Sequence, residues 1–288
     1  MHQIGQTFTV GIIGMGLIGG SMARAYAAAG HRVYIRDLSP AVCAEAMACG
    51  AAHGELDPYL EDSGHLDCLI IALYPEATVS TLAELAPRLG RETLVMDTCG
   101  IKRTVCVACR AIADAHDFTF LGGHPMAGSH FSGFSAGRAT LFRDASMILV
   151  PPEGMDTAEA CAAIARAKEL IAPLGFGTVT VCTAEHHDAM IAYTSQLAHV
   201  VSNAYVKSPT AQAHKGYSAG SYKDLTRVAY LNAPMWTELF LDNKDNLIRE
   251  LDGIIAALGE YRAAMADADA DRLCALLEEG KRCKESAK

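Results

Sequence analysis

The chain has 288 residues, 51% of them hydrophobic and 20% charged, with a formal net charge of −9. That balance belongs to a globular protein with room for one large domain or two medium ones, and it excludes a disordered chain. The acidic excess, with no Lys/Arg cluster, argues against a nucleic-acid partner. The longest uncharged run, from Val10 to just before Arg24, is too short and too rich in glycine to cross a membrane.

The first five residues have no basic flank of the secretory kind. Ten cysteines are scattered along the chain, as suits a reducing, cytoplasmic setting. Cys106 and Cys109 form the one close pair. With no second such pair and no nearby pair of histidines, they read as helix-core residues, and no metal site is expected.

In chain order, residues 8–14 read as a strand, 17–29 as a helix stopped by Gly30, and 32–37 as a second strand. Ser39-Pro40 opens the next helix. Residues 67–73 form a continuous apolar strand of the kind buried on both faces of a parallel sheet. Further strands are expected at 93–98, 118–122 and 145–150. Strands alternating with helices predict an α/β fold with a doubly wound parallel sheet, of Rossmann type, over residues 1–182. Residues 183–288 read as all-helical, with helices at 184–208, 221–231, 234–258 and 259–280. Trp236, Phe240, Leu247, Leu251, Ile254 and Leu258 recur at helical spacings. That stripe suits a domain core or a subunit interface, and a homodimer through this part is expected.

The first strand leads into Gly14-Met15-Gly16-Leu17-Ile18-Gly19, which opens a helix, and the second strand ends in Asp37, 18 residues past Gly19. In that setting the glycines form a dinucleotide turn. Gly14 permits the tight turn, Gly16 lets a diphosphate approach the backbone, and Gly19 lets helix and strand pack closely. The free N–H groups of Leu17, Ile18 and Gly19 hold the phosphates. Met15 and Leu73, the latter at the end of the third strand, complete the expected cofactor-binding set. A carboxylate at Asp37 accepts from the ribose hydroxyls and repels a 2′-phosphate, so NAD is favoured; the adjacent Arg36 is the opposing feature.

His124 lies in a Gly- and Ser-rich segment, 121–130, that leaves the fifth strand toward the ligand crevice. On the helix from Ala184, residues Asp188, Ser195, His199, Ser202 and Asn203 share one stripe, opposite Met190, Tyr193, Leu197, Val200, Val201 and Ala204. Short uncharged groups on the polar stripe suit a wet cleft, although a solvated surface gives the same pattern. Arg227 either pairs with Asp224 at i,i+3 or grips a substrate carboxylate.

Taken together, the glycine turn, Asp97–Lys102 (DTCGIK), the His124–Gly128 segment (HPMAG), His187-Asp188, Ser195–His199 and Asp224–Trp236 resemble the prephenate/arogenate dehydrogenase family of tyrosine biosynthesis. The resemblance spans nearly the whole chain. It implies a nucleotide domain, a helical dimerisation domain, and NAD(P)-dependent oxidative decarboxylation of a cyclohexadiene. His124 then matches the catalytic histidine at the ring hydroxyl, Ser195 and His199 the polar pocket, Arg227 the ligand of the ring carboxylate, and Trp236 a pocket aromatic.

This chain departs from the pattern at three places. Gly100 stands where many relatives carry Ser, Lys223 stands where Arg is common, and His130 stands where some relatives carry an acid. His130 beside the substrate side chain favours prephenate over arogenate. With the last helix ending close to Lys288, feedback by tyrosine is expected to act at the active site. Two rival readings are a β-hydroxyacid-type dehydrogenase, which would place a catalytic Lys early on the first helix after the sheet, and an NAD-sensing binding protein. The first finds no Lys before Lys207, and the second gives no reason for His124, His199 and Arg227 together.

Overall fold

A computed structural model describes residues 7–62, 64–128 and 131–287. Eight strands form one sheet: β1 (Thr9–Ile13), β2 (Arg32–Arg36), β3 (Gly54–Glu55), β4 (Cys68–Ile71), β5 (Leu94–Asp97), β6 (Thr119–Pro125), β7 (Ser146–Val150) and β8 (Thr178–Val181). Their spatial order is β3-β2-β1-β4-β5-β6-β7-β8. The chain crosses from one side of β1 to the other between β2 and β4, so the ligand crevice opens above the carboxyl ends of β1 and β4.

Helices cover both faces. They are α1 (Leu17–Ala28), α2 (Pro40–Ala48), α3 (Leu56–Glu61), α4 (Pro75–Leu85), α5 (Arg103–His116) and α6 (Thr157–Ile171). Two apolar clusters result, one holding Val10, Ile12, Met22, Tyr26 and Leu170, the other Leu69, Ile71, Leu82, Val105 and Phe120. Cys106 and Cys109 sit inside α5 in the second cluster. Burial pushes the Cys106 thiol up to about 12, so it behaves as a packing group.

The sheet departs from the parallel expectation at one edge. β7 runs antiparallel to β6, and β8 follows β7 in parallel. β3 and β8 lack a long apolar run and gave no signal of their own. β6 also extends past Gly122 to Pro125, pairing His124 with Ile148. His124 is therefore a strand residue, held by a ladder rather than carried on a loop. The two glycines before it are required by crowding: a Cβ on Gly123 would lie 2.6 Å from the Asp97 carbonyl oxygen.

The segment after β6 folds back onto α1. Phe134 fills the space beside Gly20, the Arg24 guanidinium lies over its ring at 4.2 Å, and Ser21 Oγ accepts the Arg138 N–H at 3.0 Å.

Beyond β8 come α7 (Ala184–Ile191), a π-helical stretch (Ala192–Leu197), α8 (Ala198–Tyr205), α9 (Gly220–Thr226), α10 (Ala233–Asp242), α11 (Lys244–Ala266) and α12 (Ala270–Ser286). The expected helix 234–258 is broken at Asn243. Its buried amide donates to the Asp188 carbonyl and to Gln196 Oε1, both at 2.8 Å, and its Oδ1 accepts from Arg103 and Asn246. Those tertiary bonds outweigh helix continuation at a residue of middling propensity. The expected boundary at Gly259 is absent because α11 passes through that exposed glycine. The chain turns instead at Ala268 (φ 52°), and Asp269 caps α12 through its bond from the Arg272 N–H. α9 stops at Thr226, short of the expected residue 231.

Candidate active site

The cofactor end is built by sterics. Gly14 has φ +84°, and a Cβ there would lie 2.4 Å from the Ala72 carbonyl oxygen and 2.7 Å from Leu73 Cδ2. A Cβ on Gly19 would lie 2.0 Å from the Gly14 carbonyl oxygen. Gly16 differs: nothing lies within 4 Å of its missing Cβ. That open space sits at the start of α1, where no side chain caps the free N–H groups. The residues present therefore fit a diphosphate on a helix N-terminus.

Asp37 is held in place by the backbone. Its Oδ2 accepts the Met15 N–H at 2.7 Å and its Oδ1 the Ser39 N–H at 2.8 Å. Met15 itself is buried in the core, so its part in the turn is to orient this carboxylate. Leu17, Ile18 and Leu73 are half-buried around the turn.

The chemical end is a chain of three buried or half-buried groups. His124 Nδ1 lies 2.8 Å from His187 Nε2, and His187 Nδ1 lies 2.7 Å from Asp188 Oδ1. Asp188 also accepts the backbone N–H groups of Lys102 (2.8 Å) and Arg103 (3.0 Å) at the start of α5. Burial raises its pKa, but the bonds from His187 and these amides outweigh that and hold it low. Asp188 is thus an ionised acceptor, which makes His187 Nδ1 the donor toward it. His187 Nε2 is then a lone pair facing His124, and His124 Nδ1 donates to it. The ring atom left with a free lone pair is His124 Nε2. Burial, then His187, then the Lys102 charge push the His124 pKa well below its ordinary value, so the ring is a neutral base near pH 7.

Lys102 and Asp97 form a fully buried ion pair beneath His124. Lys102 Nζ donates to the Gly123 carbonyl at 2.7 Å and Asp97 Oδ1 accepts the Gly123 N–H at 3.1 Å. The backbone just before His124 is clamped on both sides.

The polar stripe of the α7–α8 run divides in two. Asp188 and Ser202 are buried, and Ser202 Oγ and Asn203 Nδ2 donate to the carbonyls of Leu225 and Ala229. Ser202 and Asn203 staple α9 and its following segment to α8, and Asp188 is a buried acceptor behind His187, so these three do not face solvent in an open cleft, which corrects that part of the stripe's reading. On the opposite face Met190 and Tyr193 are exposed. Ser195 and His199 stay half-buried, about three helical turns beyond His187 at His199. Ser195 lies in the π-helical stretch, a distortion frequent at functional sites. Its carbonyl is 2.8 Å from His199 Nδ1, and the Trp236 ring lies 4.1 Å from the His199 ring, centroid to centroid.

Arg227 just follows α9 and is exposed. Among the described residues no carboxylate lies within ion-pair distance of it, Asp224 included. Its positive charge helps hold His199, already lowered by burial, below its ordinary value. The segment that carries Arg227 is bonded through Leu225 and Ala229 to Ser202 and Asn203, one turn beyond His199, while His124 is bonded to His187 near the start of the same helical run. A Cβ on Gly100 would meet only Leu239 at ordinary contact distance. His130 lies outside the described residues. Among the described residues no group of three or more His, Cys, Asp or Glu is arranged to hold a metal ion.

His187 and the Lys102–Asp97 clamp were not among the expected site residues, although His187-Asp188 and the 97–102 segment both carry the family resemblance.

Known proteins resemble this chain in sequence and in fold. Residues 22–177 match the family model for the prephenate dehydrogenase nucleotide-binding domain, and residues 183–279 that for the prephenate dehydrogenase dimerization domain. A cyclohexadienyl dehydrogenase of Zymomonas mobilis is 32% identical over 283 residues, covering 96% of this chain and 94% of that protein. A prephenate dehydrogenase of Bacillus subtilis is 30% identical over 273 residues, covering 92% of this chain and 72% of that one. Prephenate dehydrogenase from Aquifex aeolicus, solved with hydroxyphenyl propionate and NAD+, shares the fold with a TM-score of 0.85 at 24% identity, covering 99% of this chain and 100% of that one. This chain belongs to the prephenate dehydrogenase family.

Proposed function

We propose that this protein catalyses the NAD-dependent oxidative decarboxylation of prephenate to 4-hydroxyphenylpyruvate, a step of tyrosine biosynthesis, in the cytoplasm. The observation that carries this reading is the His124–His187–Asp188 chain, which presents a free imidazole lone pair beside the dinucleotide crevice. The bound nicotinamide supplies the hydride acceptor. His124 Nε2 takes the proton of the ring hydroxyl while His187 and Asp188 hold its other nitrogen. Arg227 takes the ring carboxylate, and His199, Ser195 and Trp236 shape the pocket around the ring and its side chain. His130 is assigned to the substrate side chain. Loss of carbon dioxide leaves an aromatic ring, so the step runs one way. The division at residues 182/183 separates the nucleotide part from the substrate part in this reading.

Absorbance at 340 nm with NAD+ and prephenate, arogenate or neither tests it. NADH formed with prephenate is the expected result, and no NADH with either acid would overturn it. For Arg227→Ala we expect KM for prephenate to rise about 10–100-fold with kcat little changed, the scale of a lost charge-assisted hydrogen bond. An unchanged KM would return Arg227 to the solvated surface.

The helical part supports a homodimer. Leu241, Ile248, Ile255, Leu258 and Met265 are exposed along α10 and α11 at helical spacings, a stripe too apolar for water. The matching dimerization-domain model supports the same reading. Light scattering is expected to give twice the chain mass of 30.6 kDa; the mass of a single chain would overturn it.

A further inference from the structure

Arg36, the basic residue next to Asp37 at the ribose corner, is already taken. Arg36 precedes Asp37 at the end of β2, and its carbonyl accepts the Gly14 N–H at 2.9 Å, so it borders the glycine turn directly. Its guanidinium is drawn to the α3–α4 side: Nη2 lies 2.9 Å from Glu84 Oε1 at the end of α4, and Nε 3.5 Å from Asp57 Oδ2 in α3. Asp57 is itself shared with Arg88, at 2.9 Å. Arg36 Nη1 is a buried donor with no partner among the described residues. Two arginines thus face two carboxylates, and Asp37 remains as the uncompensated charge of the corner.

We infer that Asp57 and Glu84 are cofactor-discriminating residues, which hold Arg36 away from the ribose 2′ position so that Asp37 alone decides there. The inference rests on Asp37 being the ribose carboxylate of a bound NAD. An arginine beside that carboxylate, if free, would offer a planar fork to a 2′-phosphate and weaken the discrimination. Clamped by two carboxylates, it offers neither its fork nor its net charge. Both act through Arg36 and touch no reacting atom, so they are positioning residues. Ion pairs this exposed contribute little to stability, and their role is the direction in which Arg36 points.

Calorimetric titration of NAD+ and NADP+ into the unmodified protein, D57N/E84Q and R36A/D57N/E84Q tests this by binding alone. In D57N/E84Q the NADP+ affinity, relative to NAD+, is expected to rise about 10-fold or more, on the scale of one charge-assisted phosphate contact. The gain is expected to vanish in R36A/D57N/E84Q. E84Q alone, which removes the shorter contact, is expected to move the ratio the same way by a smaller factor. An unchanged ratio in both D57N/E84Q and E84Q would overturn the inference. So would a gain that survives loss of Arg36, since that would come from removing negative charge and not from freeing the arginine. Failure of the unmodified protein to bind NAD+ is a separate result, which overturns the cofactor reading itself.

Discussion

Replacing His124 by Asn is expected to lower kcat by ~10²–10⁴-fold while NAD+ affinity stays near that of the unmodified protein, the usual scale for losing a positioned acid–base group. The imidazole is set up for this one task. Its Nδ1 is bound to His187 and its backbone follows a glycine clamped by Lys102 and Asp97, which leaves Nε2 without a partner among the described residues. Three influences hold its pKa well below the ordinary value of 6.5: burial, His187 and the Lys102 charge. The base is therefore neutral throughout the neutral range, and the acid limb of kcat/KM is expected to lie below pH 6.5. Asn keeps some hydrogen bonding to the hydroxyl but takes no proton. Single-turnover absorbance of NADH with prephenate measures the loss, and a kcat close to that of the unmodified protein would remove His124 from the proton transfer.

His187→Leu should produce the second large effect, a fall in kcat on the order of 10²–10³-fold. That is short of the ~10⁴ that an unsupported tautomer costs the histidine of a serine-protease triad, because His124 without its partner still visits the productive tautomer part of the time. Leu keeps the buried volume but removes the acceptor that holds the proton on His124 Nδ1. It also removes one of the two electrostatic contributions that lower His124, so the acid limb of kcat/KM should move to higher pH. A purely structural defect would scale the rate at every pH without moving the limb. An unshifted limb with undiminished kcat would leave His187 as a packing residue.

The two ends of the site differ in how far local sequence reaches. Gly14, Gly16 and Gly19 follow a strand, open a helix and precede Asp37 at the end of the next strand. Each is demanded by a contact with nearby backbone or by the space a phosphate needs, so spacing alone is informative. The α5 cysteine pair and the buried central strands were legible for a related reason, since an unbroken apolar run or a helical period reports its own burial. Asn243, by contrast, breaks a run whose periodicity is continuous, and Gly259 lies inside a helix despite its propensity. At Asn243 tertiary bonds outweigh the local preference, and at Gly259 the good helix formers on either side, such as Ala256, Ala257, Leu258 and Glu260, offset its cost of about 1 kcal/mol.

By itself, the amino-acid sequence determined the strand–helix alternation, the dinucleotide turn and the acidic residue beside it. Their causes lie within a few residues along the chain or in one hydrophobic period. Only the tertiary structure decided that His124 is a strand residue and that its partner is His187, 63 positions away. It alone showed that Asp188 and Ser202 are buried anchors, and that Arg36 is turned toward Asp57 and Glu84. Each of these is a hydrogen bond or ion pair between segments distant in sequence, and such a contact leaves no periodic trace in either segment.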